Sequence, residues 1–139
     1  MSDSAFAQLR VLAVDDNVDV ADTLGHLLTG LGCRAAVAYD EATAVRAAEL
    51  FQPHLVFLDL NMPGTDGCNV LDRVRGLSAP LARALYVCLT GSQQHHDEAR
   101  CEAAGFDTFV RKPLGADQLE ALLAQAQARL QSAAQWRSH

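Results

Sequence analysis

The sequence predicts a doubly wound α/β domain, a parallel sheet of five strands covered by helices on both faces, and three observations predict it. Short apolar runs alternate with apolar stripes of helical period along nearly the whole chain, the pattern of successive βα units. The run Leu55-Val56-Phe57-Leu58 contains no polar residue, so it needs burial on both faces, as a central parallel strand has. The chain has 139 residues, half of them hydrophobic, which is the size of one domain built around one core.

The elements follow in order. β1 is Leu9–Val14, an apolar run that ends in two acids, Asp15 and Asp16. α1, Val18–Leu31, carries Val20, Thr23, Leu24, Leu27, Leu28 and Leu31 at helical spacing, and Gly30 with Gly32 stops it. β2 is Cys33–Ala38. Asp40 is placed to cap α2, an alanine-rich helix that runs through Leu50 before Pro53 breaks the segment. β3 is Leu55–Leu58. Asn61–Gly67, dense in Asn, Pro, Gly and Asp, predicts a loop, and α3 follows through Val70, Leu71 and Val74. β4 is Leu85–Leu89, α4 the polar stretch Gln93–Ala104, and β5 Thr108–Val110. α5 begins at Asp117 with the stripe Leu119, Leu122, Leu123, Ala126 and Leu130. Gln131–His139, rich in Gln, Ser and Ala, reads as the C-terminal helix end or a frayed tail. The chain therefore reads as a single domain, 1–139, with its core over about residues 8–130 and no linker or internal repeat.

Lys plus Arg number 11 against 17 Asp plus Glu, a formal charge of -6. That balance argues against direct binding to nucleic acid or an anionic membrane, which need a basic face. Nothing approaches the ~20 apolar residues of a membrane span, and the first ten residues lack the pattern of a signal peptide. Cys33, Cys68, Cys88 and Cys101 form no CxxC and read as reduced, mostly buried thiols, so a cytoplasmic location is expected.

Ligands of such sheets bind beyond the carboxyl ends of the strands. β1 ends in Asp15-Asp16, β3 in Asp59, β4 in Thr90 and β5 in Lys112-Pro113, while β2 contributes nothing similar. Three carboxylates, a hydroxyl and an ammonium are thus expected to converge. Carboxylates so close repel each other, and a hard divalent cation, Mg²⁺ or Mn²⁺ in its place, offsets that charge best. Lys112 suits an anionic group and Thr90 offers a hydroxyl donor, with small Gly91 leaving room for a ligand. The set lacks a His or Cys base, so it fits a phosphoryl group held in line for attack by a carboxylate better than acyl transfer. Asp59, alone after the most buried strand, is the best nucleophile candidate.

Val14-Asp15-Asp16-Asn17, Leu58-Asp59-Leu60-Asn61-Met62-Pro63-Gly64-x-Asp66-Gly67, Leu89-Thr90-Gly91 and Phe109-x-x-Lys112-Pro113 together resemble the response regulator receiver domain of two-component signalling. The resemblance covers roughly residues 8–130 and implies a flavodoxin-like (βα)5 fold with strand order 2-1-3-4-5. It implies that Asp59 takes a phosphoryl group from the phosphohistidine of a histidine kinase or histidine phosphotransfer protein. It implies Mg²⁺ on Asp16, Asp59 and the Asn61 carbonyl, with Asp15 acting mainly through water. It further implies that Thr90 and Lys112 contact the phosphoryl oxygens and that the Lys112–Pro113 bond is cis. The implied switch pairs Thr90 with an aromatic ring, here Phe109 where many members have Tyr, and changes the α4–β5–α5 face, where a downstream protein binds. Ser92 and Asn61 occupy positions that influence the lifetime of the phosphoryl group in this family.

Taken singly, these residues have plainer readings. Asp15-Asp16 could cap α1, Asp59 could belong to a turn, and Lys112 could be a solvated charge. Gly30-x-Gly32-x-x-Ala35 has the spacing of a dinucleotide fingerprint but leaves a helix for a strand, so it reads as a helix stop. His95-His96-Asp97-Glu98 reads as a solvated helix start rather than a metal site. Cys68 and Cys88 read as small hydrophobes, and Trp136 sits off the α5 stripe. The leading expectation is a phosphoacceptor module that assists its own phosphorylation and dephosphorylation rather than a turnover enzyme. A phosphatase with an aspartyl-phosphate intermediate is disfavoured, because Asn61 stands where that class usually has its acid. Further alternatives are a phosphorylation-independent interaction domain, a phosphoryl sink and the receiver module of a hybrid kinase. With about 9 residues after Leu130, no output domain is expected, and Met1-Ser2-Asp3 reads as a natural start.

Overall fold

The computed structural model describes residues 6–62, 64–91, 95–112 and 114–137, with the side chains of 95–97 and 133–137 excepted. Ser92, Pro113 with its peptide bond to Lys112, and the side chains of His95, His96, Asp97 and Trp136 therefore lie outside the described residues.

β1 spans Arg10–Val14, β2 Arg34–Ala38, β3 Leu55–Asp59, β4 Leu85–Thr90 and β5 Thr108–Arg111. They form one parallel sheet in the order 2-1-3-4-5, as the alternating pattern and the resemblance led us to expect. The helices are α1 Val18–Gly30, α2 Glu41–Phe51, α3 Gly67–Arg75, α4 His95–Ala104 and α5 Ala116–Arg137, with one extra helical turn at Ala79–Ala82.

Period-two alternation along the strands divides the core into two layers. Leu12, Val14, Val56, Leu58, Tyr86 and Cys88 face one layer, which includes Ala44 and Ala48 of α2, Val70, Leu71 and Val74 of α3, and Cys101 of α4. Val11, Ala13, Leu55, Phe57, Val87 and Leu89 face the other, with Leu24 and Leu28 of α1 and Leu119, Leu122 and Leu123 of α5. β3 is buried at every position, as its unbroken apolar run requires. Truncating any one of these large side chains to Ala removes about 2–5 kcal/mol by transfer and cavity terms.

Three expectations are corrected. The Asn61–Gly67 segment is not a plain loop: Asn61–Met62 and Thr65–Asp66 pair antiparallel as a short hairpin. The inward face of α1 is shifted from the expected stripe: Leu24 and Leu28 are buried as expected, Ala21 and Gly25 join them, and Leu27 is left 39% exposed. Small Ala21 and Gly25 give the close approach to the sheet, and a Cβ on Gly25 would lie 2.9 Å from Val37. The helix α5 runs as far as Arg137, in line with the helix-end alternative for the last segment. The cysteines are not all reduced: Cys88 of β4 and Cys101 of α4 form a disulfide, with Cα atoms 6.3 Å apart. Sequence spacing hides this pair because parallel βα packing brings a strand residue under the helix that follows it. Cys33 and Cys68 are free.

The stop after α1 stands as read, with Leu31 as its C-cap and Gly32 at a φ of 97°. Asp40 caps α2 by accepting from the Thr43 N–H at 2.8 Å.

Candidate functional site

The strand ends deliver the residues that the sequence pointed to. Asp15 and Asp16 follow β1, Asp59 ends β3, Thr90 ends β4 and Lys112 follows β5. Neither member of the acidic pair caps α1, because Asn17 takes that role and accepts from the Val20 N–H at 3.2 Å. Asp15 is freed to point into the site, with one oxygen accepting from the Asn17 N–H at 3.0 Å.

Asp15, Asp16 and Asp59 each place a carboxylate oxygen within 4.8 Å of the others, Asp15 and Asp59 buried and Asp16 exposed. Lys112 Nζ donates to Asp15 Oδ2 at 2.8 Å and lies 3.6 Å from Asp59 Oδ2. Its backbone is fixed by the Lys112 N–H donating to the Thr90 carbonyl at 2.8 Å, so the β4 and β5 ends move together. Thr90 is buried at the last position of β4, opposite Arg111 in register. Asn61 presents its backbone N–H to Asp59 Oδ1 at 3.1 Å while its side chain stays exposed. Phe109 is half-buried on β5 and packs against the layer formed with α3 and α4. Pro113 lies outside the described residues.

Burial and the neighbouring Asp15 charge push the Asp59 carboxyl up to about 7, against the pull of Lys112 and of the Asn61 N–H. Burial alone would lower the Lys112 ammonium, but its hydrogen bond to Asp15 and the charge of Asp59 hold it above the usual lysine value. One cation serving crowded carboxylates, one of which resists ionising, is the electrostatic condition that a divalent cation relieves. The donors are all hard oxygens, so the residues fit Mg²⁺.

Gly67, quoted above only as part of a motif, and Arg100, which the sequence reading did not single out, also shape the site. A Cβ on Gly67 would lie 2.5 Å from the Asp59 carbonyl oxygen, so only glycine lets α3 begin against the end of β3. Arg100 reaches across from α4, Nη1 donating to Asn61 Oδ1 at 3.3 Å and Nη2 to Asp66 Oδ2 at 3.2 Å. Gly67 closes the motif Leu58–Gly67 on which the resemblance rests, directly after Asp66, which caps α3 by accepting from the Cys68 N–H at 2.9 Å. Arg100 sits in a polar helix with no motif, and only topology brings it to the site.

A doubly wound sheet with an acidic cluster and a lysine at the carboxyl ends of its strands defines a class of α/β domains whose ligand site lies at the switch point of strand order. The response regulator receiver domain model matches residues 11–124, and the chain belongs to that family, whose members work in two-component signalling and are generally phosphorylated. The chain is 38% identical over 128 residues to the virulence sensor protein BvgS of Bordetella bronchiseptica, covering 87% of this chain and 10% of that protein. It is 35% identical over 126 residues to the transcriptional regulatory protein KdpE of Mycobacterium tuberculosis, covering 90% of this chain and 54% of that one. It thus spans about half or less of these curated relatives. Among solved structures, the receiver domain of the sensor histidine kinase PA1611 from Pseudomonas aeruginosa, with magnesium in its active-site cleft, matches with a TM-score of 0.77 and 25% identity. That match covers 86% of this chain and 98% of the other. The chemotaxis protein CheY4 of Vibrio cholerae shares the fold with a TM-score of 0.78 at 24% identity, over 86% of this chain and 99% of that one. No helix among the described residues is long and apolar enough to cross a membrane.

Proposed function

We propose that the chain is a phosphoacceptor that takes a phosphoryl group from a phosphohistidine onto Asp59 and thereby switches a protein-binding surface. The observation that carries this reading is the Asp15, Asp16, Asp59 cluster within 4.8 Å, with Lys112 bridging two of its members. Asp59 Oδ attacks phosphorus, the P–N bond to the donor imidazole breaks, and the imidazole leaves with the bond's electron pair. Lys112, anchored on Asp15, sits where it can turn its ammonium to the new phosphoryl oxygens. Mg²⁺ would be held by Asp16, Asp59 and the Asn61 carbonyl, with Asp15 behind them, and supplies neutralisation of the charge on the transferring group. Hydrolysis later returns the carboxylate, so the chain acts as a signalling module rather than a turnover enzyme.

Thr90 couples the site to the rest of the domain. Its hydroxyl turning toward the phosphoryl group leaves space that the half-buried Phe109 ring can take, which changes the α4–β5–α5 face for a downstream protein. Arg111 of β5 pairs with Glu98 of α4 on that face, a surface contact that such a shift would remodel. An apolar groove of about 380 Å³, lined by Val20, Leu24, Leu27, Leu114 and Lys112, runs beside the site and offers the histidine-bearing partner a surface next to Asp59. The location that fits such a donor is the cytoplasm. The BvgS likeness favours a second setting for the same chemistry, the receiver module of a hybrid sensor kinase.

The test is intact-protein mass spectrometry after incubation with acetyl phosphate, with and without Mg²⁺. A Mg²⁺-dependent phosphoryl adduct that disappears in Asp59→Asn is expected. No adduct on the wild-type chain, or equal labelling of the variant, overturns the reading.

A further inference from the structure

We propose that Arg100 is a donor-binding residue, the cation at the mouth of the cleft that draws the dianionic phosphoryl group of the donor toward Asp59. The inference rests on the phosphoacceptor reading and deepens it. A cleft of about 500 Å³ opens beside Asp59, lined by Asp16, Leu60, Asn61, Met62, Asp66 and Arg100 among others. Asp16 and Asp66 make that wall acidic, and Asp15 and Asp59 lie buried behind it. A phosphoryl donor is itself an anion, so its approach is opposed by four carboxylates. Lys112 is committed deep in the site, at 2.8 Å from Asp15 and 3.6 Å from Asp59. Among the described residues lining the cleft, Arg100 is the only cation.

The geometry of Arg100 suits a group that exchanges partners. Its pairing with Asp66 joins two side chains that are 39% and 44% exposed, and half-exposed pairs contribute little stability. A guanidinium presents planar N–H forks that match phosphate oxygens, so a donor phosphate can replace Asp66 with better geometry. The helix that carries it is firmly seated: the next residue, Cys101, is buried and tied by its disulfide to Cys88 on β4, two residues before Thr90. The guanidinium therefore works from a fixed base at the rim while its tip exchanges.

The experiment measures the rate of Asp59 phosphorylation by acetyl phosphate, a small dianionic acyl phosphate, at saturating Mg²⁺, by intact mass. It compares wild type, Arg100→Gln, Arg100→Lys and Asp66→Asn. Losing one partly screened charge at contact distance is worth about fivefold, so Arg100→Gln should lower the second-order rate constant about fivefold. The rate at saturating donor should stay within about twofold, and Arg100→Lys should recover most of the loss. Raising ionic strength should screen both the Arg100 attraction and the carboxylate repulsion, so it should narrow the gap between wild type and Arg100→Gln. Asp66→Asn keeps an α3 cap and removes the competing carboxylate, so it should speed phosphorylation by about twofold. An Arg100→Gln variant with the wild-type second-order constant and salt dependence overturns the proposal while leaving Asp59 as the acceptor. A loss confined to the saturating rate, or one that follows a lowered melting temperature, assigns Arg100 a structural role and also overturns it. A wild-type chain that takes no label overturns this inference together with the function on which it rests.

Discussion

Replacing Asp59 by Asn should make the domain more stable, and the gain should depend on pH. Asp59 is 4% exposed and its carboxyl is raised from the ordinary 3.8 to about 7 by burial and by Asp15. A carboxyl with a raised value in the folded state binds its proton more tightly there than in the unfolded chain. The folded state is therefore penalised as pH climbs from about 4 to 7, and the full penalty stands above 7. The gap between those two values converts to roughly 4 kcal/mol, an upper bound because Asp15 and Lys112 readjust when Asp59 changes. The Asn carboxamide oxygen can still accept from the Asn61 N–H, so the substitution removes charge without leaving that donor unpaired. At pH 8 in EDTA, Asp59→Asn should gain about 2–4 kcal/mol, roughly 8–15 °C in melting temperature for a domain of this size. Near pH 4 the gain should shrink toward zero. Urea unfolding of both proteins at pH 4, 6 and 8 reads this directly. Mg²⁺ at about 100 times its dissociation constant should then stabilise wild type by about 2.7 kcal/mol and the variant far less. A gain of equal size at pH 4 and pH 8, or a loss of stability at pH 8, would refute the electrostatic account.

Gly67→Ala should destabilise by about 1–3 kcal/mol and slow phosphoryl transfer, because its Cβ would press 2.5 Å from the Asp59 carbonyl oxygen and displace the acceptor; unfolding and adduct formation both report it, and an unaffected variant would remove the steric argument. Alkylation of the denatured chain without reductant should add two labels, on Cys33 and Cys68, and with reductant four; four labels without reductant would show Cys88 and Cys101 unlinked.

What the sequence made legible were the positions fixed by strand ends. A parallel strand buried on both faces must terminate where polarity begins, so the sequence alone aligns Asp15, Asp59, Thr90 and Lys112 at one end of the sheet. Contacts across elements without a strand-end marker were not legible. The inward face of α1 rotated because Ala21 and Gly25 allow closer packing than a Leu-only stripe predicts, and hydrophobic period alone does not weigh small residues. Arg100 and the Cys88–Cys101 bond depend on where α4 lies over the sheet, which spacing along the chain does not encode.

These two kinds of residue divide the work of the site. The strand-end groups set a fixed charge problem: three carboxylates within 4.8 Å, two of them buried, and one ammonium to serve them. Such a cluster is destabilising by itself, and any added positive charge, or loss of a negative one, relieves it. A phosphoryl group does the opposite, since it brings further negative charge to the same oxygen. The added charge has to be met by cations that were previously paired elsewhere, Lys112 from Asp15 and, on the proposal above, Arg100 from Asp66. Each of those partners belongs to a different element, the end of β1 and the start of α3. Re-pairing the cations therefore changes the forces on several elements at once. On the phosphoacceptor reading, this re-pairing carries a modification of the buried Asp59 carboxylate to the surface of the domain.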